Sequence, residues 1–276
     1  MPEGHTIHRL AADHRDAFAG RTVRTTSPQG KFSDSAALIT GQELATAEAH
    51  GKHLFLGFDG LGWVHIHLGL FGKYTWGPGR AVPPPTDTVR LRLVGPDAYA
   101  DLRGPTTCTL ITDAEKQAIH DRLGPDPLRP EHDGEAAFAR ISRSRTSVAA
   151  LLMDQKVVAG VGNVYRAEVL FRHGIDPYRP GRDLTRREWD AIWSDLVGLM
   201  REGVRNNRID TVRPEHTPEA MGRPPRVDDH GGEVYVYRRT GQPCHVCDGE
   251  IRTAGLAARN LFWCPECQPA QRIGMV

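Results

Sequence analysis

The sequence predicts an α+β protein in which an N-terminal helix plus an antiparallel β-sandwich precedes a helical domain ending in a four-cysteine ribbon. Three observations predict it. Hydrophobic periodicity switches from helical to alternating near residue 22 and returns to helical near residue 113. A proline cluster, Gly124-Pro-Asp-Pro-Leu-Arg-Pro130, separates the β-rich part from the helical part. Four of the 5 cysteines crowd the C-terminal end, at Cys244, Cys247, Cys264 and Cys267. The 276 residues suffice for about two domains, and 39% hydrophobic residues with 29 glycines give ordinary globular apolarity. Thirty-five Lys and Arg against 34 Asp and Glu leave a net charge of +1, so a basic surface must come from local clustering.

The opening helix rests on Ile7, Leu10, Ala11, His14 and Phe18, spaced i, i+3, i+4, i+7 and i+11, with Gly20 as its stop. Strands are expected over 44–49, 53–58, 63–68, 88–94, 98–102 and 107–111, between turns bearing Gly, Pro or Asp. Val89, Leu91 and Leu93 alternate with Arg90 and Arg92, as in a half-buried antiparallel strand. A helix resumes over 113–120. The prolines of 124–130 favour an extended linker, which divides the chain into a β-sandwich domain 1–123, a helical domain 131–232 and a ribbon 233–276. Helices are expected over 135–142, 148–153, 164–171 and 186–203. The last begins on a Thr185/Glu188 capping box and carries Trp189, Ile192, Trp193, Leu196 and Met200 as a core-facing stripe. Residues 206–232 read as an exposed loop, and Val234-Tyr-Val-Tyr237 as the opening of a final β element.

Several classes are excluded. The longest apolar runs, Leu68–Phe71 and Ser147–Met153, fall far short of the ~20 residues of a membrane span. Met1-Pro2-Glu3-Gly4-His5 has neither the basic nor the apolar region of a signal peptide, so a reducing compartment is expected and metal binding is favoured over disulfides.

Cys244-x2-Cys247, then Cys264-x2-Cys267 after sixteen intervening residues, is zinc-ribbon spacing. Each pair turns two thiolates toward one centre. Together they close a tetrahedral shell around one structural Zn2+, with no open position for catalysis. Cys108, on an apolar strand, reads as a core residue, and His65-x-His67 lacks a third ligand for a metal. The segment between the cysteine pairs presents Arg259 near its tip, either to a phosphate or simply to solvent. Gly160-Val-Gly162-Asn163 joins two helical patterns, with Asn163 as N-cap of the second, and free N–H groups there suit a phosphate. Arg140, Arg143, Arg145, Lys156, Arg166 and Arg172 make this neighbourhood basic. A plain helix–turn–helix packing unit is the alternative.

Pro2 is a context in which Met1 is normally removed, leaving a secondary amine that titrates near ~8 and attacks electrophiles. Attack on a sugar C1′ would give an iminium, and Glu3 stands next to it as a proton donor. A proline at the start of a helix with an acid in its first turn is the ordinary alternative.

Four separated stretches occur in one order: Pro2-Glu3-Gly4; Gly51-Lys52-His53-Leu54; Leu152-Met-Asp-Gln155 with Gly160-Val-Gly-Asn163; and the ribbon carrying Arg259. Together they resemble the formamidopyrimidine-DNA glycosylase / endonuclease VIII family of base-excision repair enzymes, most of all its actinobacterial endonuclease VIII-like branch. The likeness spans Pro2 to Gln268. It implies that Pro2 is the Schiff-base nucleophile, Glu3 the proton donor, and Lys52 a phosphate contact that assists β-elimination. Asn163, in a helix–two-turn–helix motif, would grip the phosphates flanking the lesion. Arg259 would bind phosphate and assist δ-elimination. Leu70 and Phe71 lie where the family carries a loop that wedges into the gap left by a flipped nucleotide, with core packing as the rival reading.

Three positions depart from the family pattern. Thr6 stands where a second glutamate is usual, Ala149 where the 8-oxoguanine branch has lysine, and Gly4 where that branch has leucine. The last two favour oxidised pyrimidines as substrates. The expectation is therefore a monomeric DNA glycosylase and AP lyase that acts on damaged double-stranded DNA, held in a cleft between its domains, in the nucleoid-bearing cytoplasm. The alternatives are an 8-oxoguanine-preferring enzyme and a non-catalytic damaged-DNA-binding protein.

Overall fold

The computed structural model describes residues 2–227 and 232–270, so the removal of Met1 and the end of the expected ribbon domain lie outside the described residues. The chain forms two compact units that divide between Arg122 and Leu123.

The first unit opens with α1 (Gly4–Phe18) and continues through β1 (Arg21–Thr26), α2 (Ser33–Ile39), β2 (Gln42–His50), β3 (His53–Phe58), β4 (Gly62–His67), β5 (Lys73–Pro78), β6 (Val89–Val94), β7 (Ala98–Arg103), β8 (Thr107–Ile111) and α3 (Asp113–His120). All strand pairs are antiparallel, in the order β5-β7-β6-β1-β2-β3-β4-β8. β1 belongs to both halves: Arg21–Val23 pair with β2, and Arg24–Thr26 pair with β6. Leu54, Leu56, Val64 and Ile66 from one half share a core with Leu91, Leu93, Ala100 and Leu102 from the other. The sheet thus folds over a single interior, as a sandwich does. α1 closes that interior with Ile7, Leu10, Ala11 and Phe18. Arg15 ties it to β2 by donating to the Ala47 carbonyl (2.6 Å).

Three elements in this unit escaped the alternation pattern. β1 buries only Val23 and Thr25, too few apolar residues to signal a strand. β5 is an edge strand whose Tyr74 and Trp76 are followed at once by Gly77-Pro78. α2 is a seven-residue helix held by Ala36 and Ile39.

The second unit contains α4 (Glu135–Ile141), α5 (Val148–Met153), α6 (Asn163–Arg172), α7 (Arg186–Asn206), the short α8 (Pro218–Met221), and the hairpin β9 (Arg252–Leu256) and β10 (Arg259–Trp263). The Thr185/Glu188 capping box starts α7, and Trp189, Ile192, Trp193, Leu196 and Met200 are buried. Among the described residues, no helix is long and apolar enough to cross a membrane. Three expectations need correction. The 124–130 segment is no free spacer: Gly124 donates to the Gln155 carbonyl (2.8 Å), Pro125 accepts from Ala159 (3.0 Å), and Asp126 is fully buried. Within 206–232, α8 and a single helical turn at Pro214–His216 add local structure.

The third correction concerns Val234–Tyr237, which forms no strand. Its N–H groups find a carboxylate in place of a neighbouring strand. Tyr235, Val236 and Tyr237 donate to Glu168 of α6 at 2.7, 2.9 and 2.8 Å, and the Thr211 hydroxyl donates at 2.6 Å. A buried charge is tolerated only when its lone pairs are filled, and here four donors fill them. Replacing Glu168 by Ala orphans three buried backbone N–H groups. The expected cost is about 3–5 kcal/mol, read as a lowered urea midpoint, with Glu168→Gln intermediate. An unchanged midpoint for Glu168→Ala would remove this anchoring role.

Candidate functional site

The N-terminal groups sit at the start of α1. Glu3 is its N-cap, in extended conformation, and its carbonyl accepts from Thr6 (3.0 Å). The Glu3 side chain is fully buried, whereas Pro2 is half-buried. In the first turn of α1, Thr6 Oγ1 lies 3.2 Å from His5 Nε2. Burial pushes His5 down to about 4, so its ring is neutral at pH 7.

Lys52 follows Gly51 in the tight turn between β2 and β3, where Gly51 has a φ of +57°. Such a φ favours glycine. On the strands leaving this turn, each nearest histidine meets another. His50 Nδ1 lies 2.9 Å from His120 Nδ1 of α3, and His53 Nδ1 lies 2.8 Å from His65 Nε2 of β4. His53 also lies against His67, with ring centroids 5.0 Å apart. The alternation of β3 explains the layer: Leu54 and Leu56 face the core, while His53 and Phe55 face outward beneath α3. Burial pushes His53 down to about 3 and His65 to about 4. Burial, then the nearby Lys52 charge, lowers His67.

These rings make the fold acid-labile. Burial likewise pushes His14, enclosed by Phe18, Tyr74 and Trp76, down to about 4. Above pH 6.5 such a ring is neutral in both folded and unfolded chains, and it adds no pH dependence. As pH falls from 6.5 toward 4, the unfolded chain takes up protons that the folded ring refuses, so stability drops. By pH 5 the loss is about 2 kcal/mol for each of the enclosed His5 and His14. Urea midpoints at pH 7.5 and pH 5 measure it, and equal midpoints would show that both rings titrate normally.

Leu70 and Phe71 occupy the loop after β4. They are 47% and 83% exposed, so core packing does not hold them. The loop is tight: a Cβ on Gly72 would stand 2.3 Å from the Leu68 carbonyl oxygen. The bend therefore projects the two apolar side chains into solvent.

In the second unit, the turn between α5 and α6 is braced by Gln155. Its Nε2 donates to the Met153 (3.1 Å) and Val161 (2.9 Å) carbonyls, and its Oε1 accepts from the Gly160 N–H (3.0 Å). Gly160 has a φ of +86°, and Gly162, not Asn163, is the N-cap of α6. Asn163 begins the helix proper because its amide is engaged elsewhere. Its Nδ2 donates to the Asn260 carbonyl (2.9 Å) and its Oδ1 accepts from the fully buried Arg166. Arg172 pairs with Asp195 (2.6 Å). These two arginines of the expected basic cluster are structural.

The four cysteines converge, with all Sγ atoms within 4.8 Å of one another. Cys244 and Cys267 are 3.8 Å apart, and Cys247 and Cys264 are 3.5 Å apart. Four thiolates held tetrahedrally at about 2.3 Å from Zn2+ stand about 3.8 Å apart, so the donor set and spacing fit one structural zinc. Beyond the knuckles, Ala257 and Ala258 form a turn with φ of +51° and +56°, and Arg259, the first residue of β10, is exposed. Leu261 and Phe262 both join the helical core, and Gln268 donates to the Ile175 carbonyl (2.9 Å). The ribbon is thus welded to the helical body.

Pro2, Glu3, Lys52, Leu70 and Phe71 therefore belong to the first unit, and Asn163, Arg259 and the zinc cysteines to the second. Within the second, Asn163 meets the residue after Arg259 through the Asn260 carbonyl. Gln155, Glu168 and Arg166 carry supporting roles that sequence reasoning left unassigned. Partners lie up to 69 positions away for Glu168 and 94 for Arg166, and nothing in local spacing signals such contacts.

Three family models match the chain. They are the formamidopyrimidine-DNA glycosylase N-terminal domain over residues 1–108, the formamidopyrimidine-DNA glycosylase H2TH domain over 123–213, and the zinc finger found in FPG and IleRS over 241–270. Endonuclease 8 1 of Mycobacterium tuberculosis is 53% identical over 271 residues, covering 97% of this chain and 100% of that protein. Formamidopyrimidine-DNA glycosylase of Rhodospirillum rubrum is 32% identical, covering 82% and 83%. The fold matches Fpg of Lactococcus lactis, solved with DNA containing an abasic site, at a TM-score of 0.77, 20% identity and 97% and 100% coverage. It also matches MutM (Fpg) of Thermus thermophilus at a TM-score of 0.72, 25% identity and 97% and 98% coverage.

Proposed function

The chain belongs to the formamidopyrimidine-DNA glycosylase family, and from that premise we propose how its own residues carry out glycosylase and AP-lyase chemistry in base-excision repair. The Pro2 nitrogen, freed of Met1, attacks C1′ of the damaged nucleotide. The bond from C1′ to the base breaks, the base leaving with its bonding electrons and the proton lost from the Pro2 nitrogen, while Glu3 protonates the ring oxygen as the bond from C1′ to that oxygen opens. The resulting iminium withdraws electrons from C2′. Loss of a C2′ proton then expels the 3′ phosphate, and a second elimination expels the 5′ phosphate. Water finally releases Pro2 from the sugar fragment. Lys52 and Arg259 hold phosphates during these steps, Asn163 adds the amide hydrogen not given to the Asn260 carbonyl, and Leu70 and Phe71 fill the space of the flipped nucleotide. The zinc supplies no chemistry to the reaction and fixes the hairpin that carries Arg259.

The observation that carries this reading is Glu3: a fully buried carboxyl group directly after a half-buried N-terminal proline. Burial keeps a proton donor out of competition with water. Oxidised pyrimidines are the proposed substrates. Ala149, fully buried in α5, supplies no ammonium where the 8-oxoguanine branch has lysine, and Gly4 adds no side chain beside Glu3. The enzyme acts on double-stranded DNA as a monomer, in the cytoplasm where the nucleoid lies.

Borohydride reduction of the protein on abasic duplex DNA, followed by excision assays on a panel of oxidised bases, tests the proposal. A covalent adduct and release of oxidised pyrimidines ahead of 8-oxoguanine are expected. No adduct from Pro2-terminated protein would leave a DNA-binding protein without catalysis. An adduct with 8-oxoguanine released fastest would reverse the substrate preference.

A further inference from the structure

The fully buried Arg166 stands between two elements of the second unit, the α5–α6 turn with Asn163 and the β9–β10 hairpin with Arg259. It lies three residues after Asn163 on α6, so the two side chains share one face of the helix. A single nitrogen joins the elements. Arg166 Nη2 donates to Asn163 Oδ1 and also to the Asn260 carbonyl of β10 (3.1 Å), and Asn163 Nδ2 donates to that same carbonyl (2.9 Å). Two donors occupy both lone pairs of the carbonyl oxygen and fix its direction. Helix amide, hairpin carbonyl and guanidinium nitrogen thus close a triangle.

Asn260 directly follows Arg259, and the left-handed pair Ala257-Ala258 directly precedes it. Within the hairpin, Thr253 Oγ1 donates to the Leu261 carbonyl (2.9 Å), but that bond joins β10 to β9 and travels with the hairpin. The bonds at Asn260 instead tie the backbone beside Arg259 to α6. Arg259 is itself exposed, so the position of its guanidinium depends on how firmly this backbone is held. A guanidinium is costly to bury, and an apolar side chain would fill the same space without that cost. What an apolar residue cannot supply is the pair of bonds.

We propose that Arg166 is a positioning residue for the second elimination: it locks the Asn260 carbonyl to Asn163 and so holds the neighbouring Arg259 against the 5′ phosphate as that phosphate leaves. The inference rests on the phosphate role of Arg259 and deepens it. Without Arg166 one bond to the carbonyl remains, from Asn163, and the hairpin can rock about it. The first elimination, which depends on Pro2 and Lys52 of the other unit, is untouched.

Single-turnover cleavage of a 5′-labelled abasic duplex, with enzyme in saturating excess, tests it. The labelled fragment ends in an unsaturated sugar aldehyde after the first elimination and in a 3′ phosphate after the second, and a denaturing gel separates the two. Borohydride trapping counts the competent molecules in each preparation. Per competent molecule, Arg166→Met keeps the first elimination within about two-fold of wild type and slows the second about 10-fold or more. Arg166→Lys regains most of that rate, because one ammonium carries enough donors to serve both oxygens that Nη2 serves. In an Arg259→Ala background Arg166→Met adds no further slowing, since the group it positions is gone. A role in stability alone would leave the ratio of the two rates at its wild-type value. Should Arg166→Met fail to fold, Arg166→Gln, polar but too short to reach the Asn260 carbonyl, carries the same expectation. A wild-type ratio in these variants, or an equal slowing in the Arg259→Ala background, overturns the inference. An Arg259→Ala protein with an unchanged second elimination, or wild-type protein that forms no adduct, overturns the underlying reading instead, so the failures are told apart.

Discussion

Protein that retains Met1, or whose mature terminus is acetylated, is expected to have no lyase activity on abasic DNA. Both changes turn the Pro2 nitrogen into an amide, which has no lone pair available for attack at C1′. Loss of a nucleophile typically costs on the order of 10^4-fold or more, far beyond the effect of removing one phosphate contact. Pro2→Gly keeps an amine and should retain a reduced rate. An α-amino group titrates near ~8, so a useful fraction remains unprotonated at neutral pH. Glu3 is buried in the same short segment, and Glu3→Gln should slow base release more than strand cleavage at a preformed abasic site. Single-turnover nicking of abasic duplex by each preparation provides the measurement. Full activity from blocked protein, or a reduced crosslink located on Lys52, would move the nucleophile elsewhere.

Zinc removal is expected to abolish DNA binding. With the metal gone, four thiolates within 4.8 Å of one another lose the ion that compensates their charge. Structural zinc contributes on the order of 10 kcal/mol in small sites, comparable to the whole stability of a domain. Here the loss should spread, because Cys244, Cys264, Leu261 and Phe262 lie in the same core as α6 and α7. Chelation should therefore release one zinc per chain, loosen the helices of the second unit in hydrogen exchange, and leave β2, β3 and β4 protected. Demetallated protein that still binds abasic DNA normally would mean that the hairpin holds its shape without the metal.

The sequence carried the long periodic elements and the chemistry-bearing motifs well. α1, α3 and α7 declare themselves through apolar spacing and caps, and the paired cysteines through their intervals. What it hid was structure made by distant partners. Val234–Tyr237 has the composition of a strand, yet its backbone is satisfied by Glu168, 67 to 69 positions away in sequence. Asn163 has the composition of an N-cap, yet its amide reaches Asn260, and Gly162 takes the capping position. β1 was missed for the opposite reason, since it lies where the sheet changes layers and buries little. Local pattern reports which side of an element is apolar. It does not report which polar group will meet it.

The alanine pair at 257–258 has an engineering consequence. Two residues with Cβ atoms in left-handed backbone each cost roughly 1–2 kcal/mol, and Asn-Gly at the same positions would lift that burden. Such a swap should raise thermal tolerance and, because turn type sets hairpin register, keep Arg259 paired opposite Leu256.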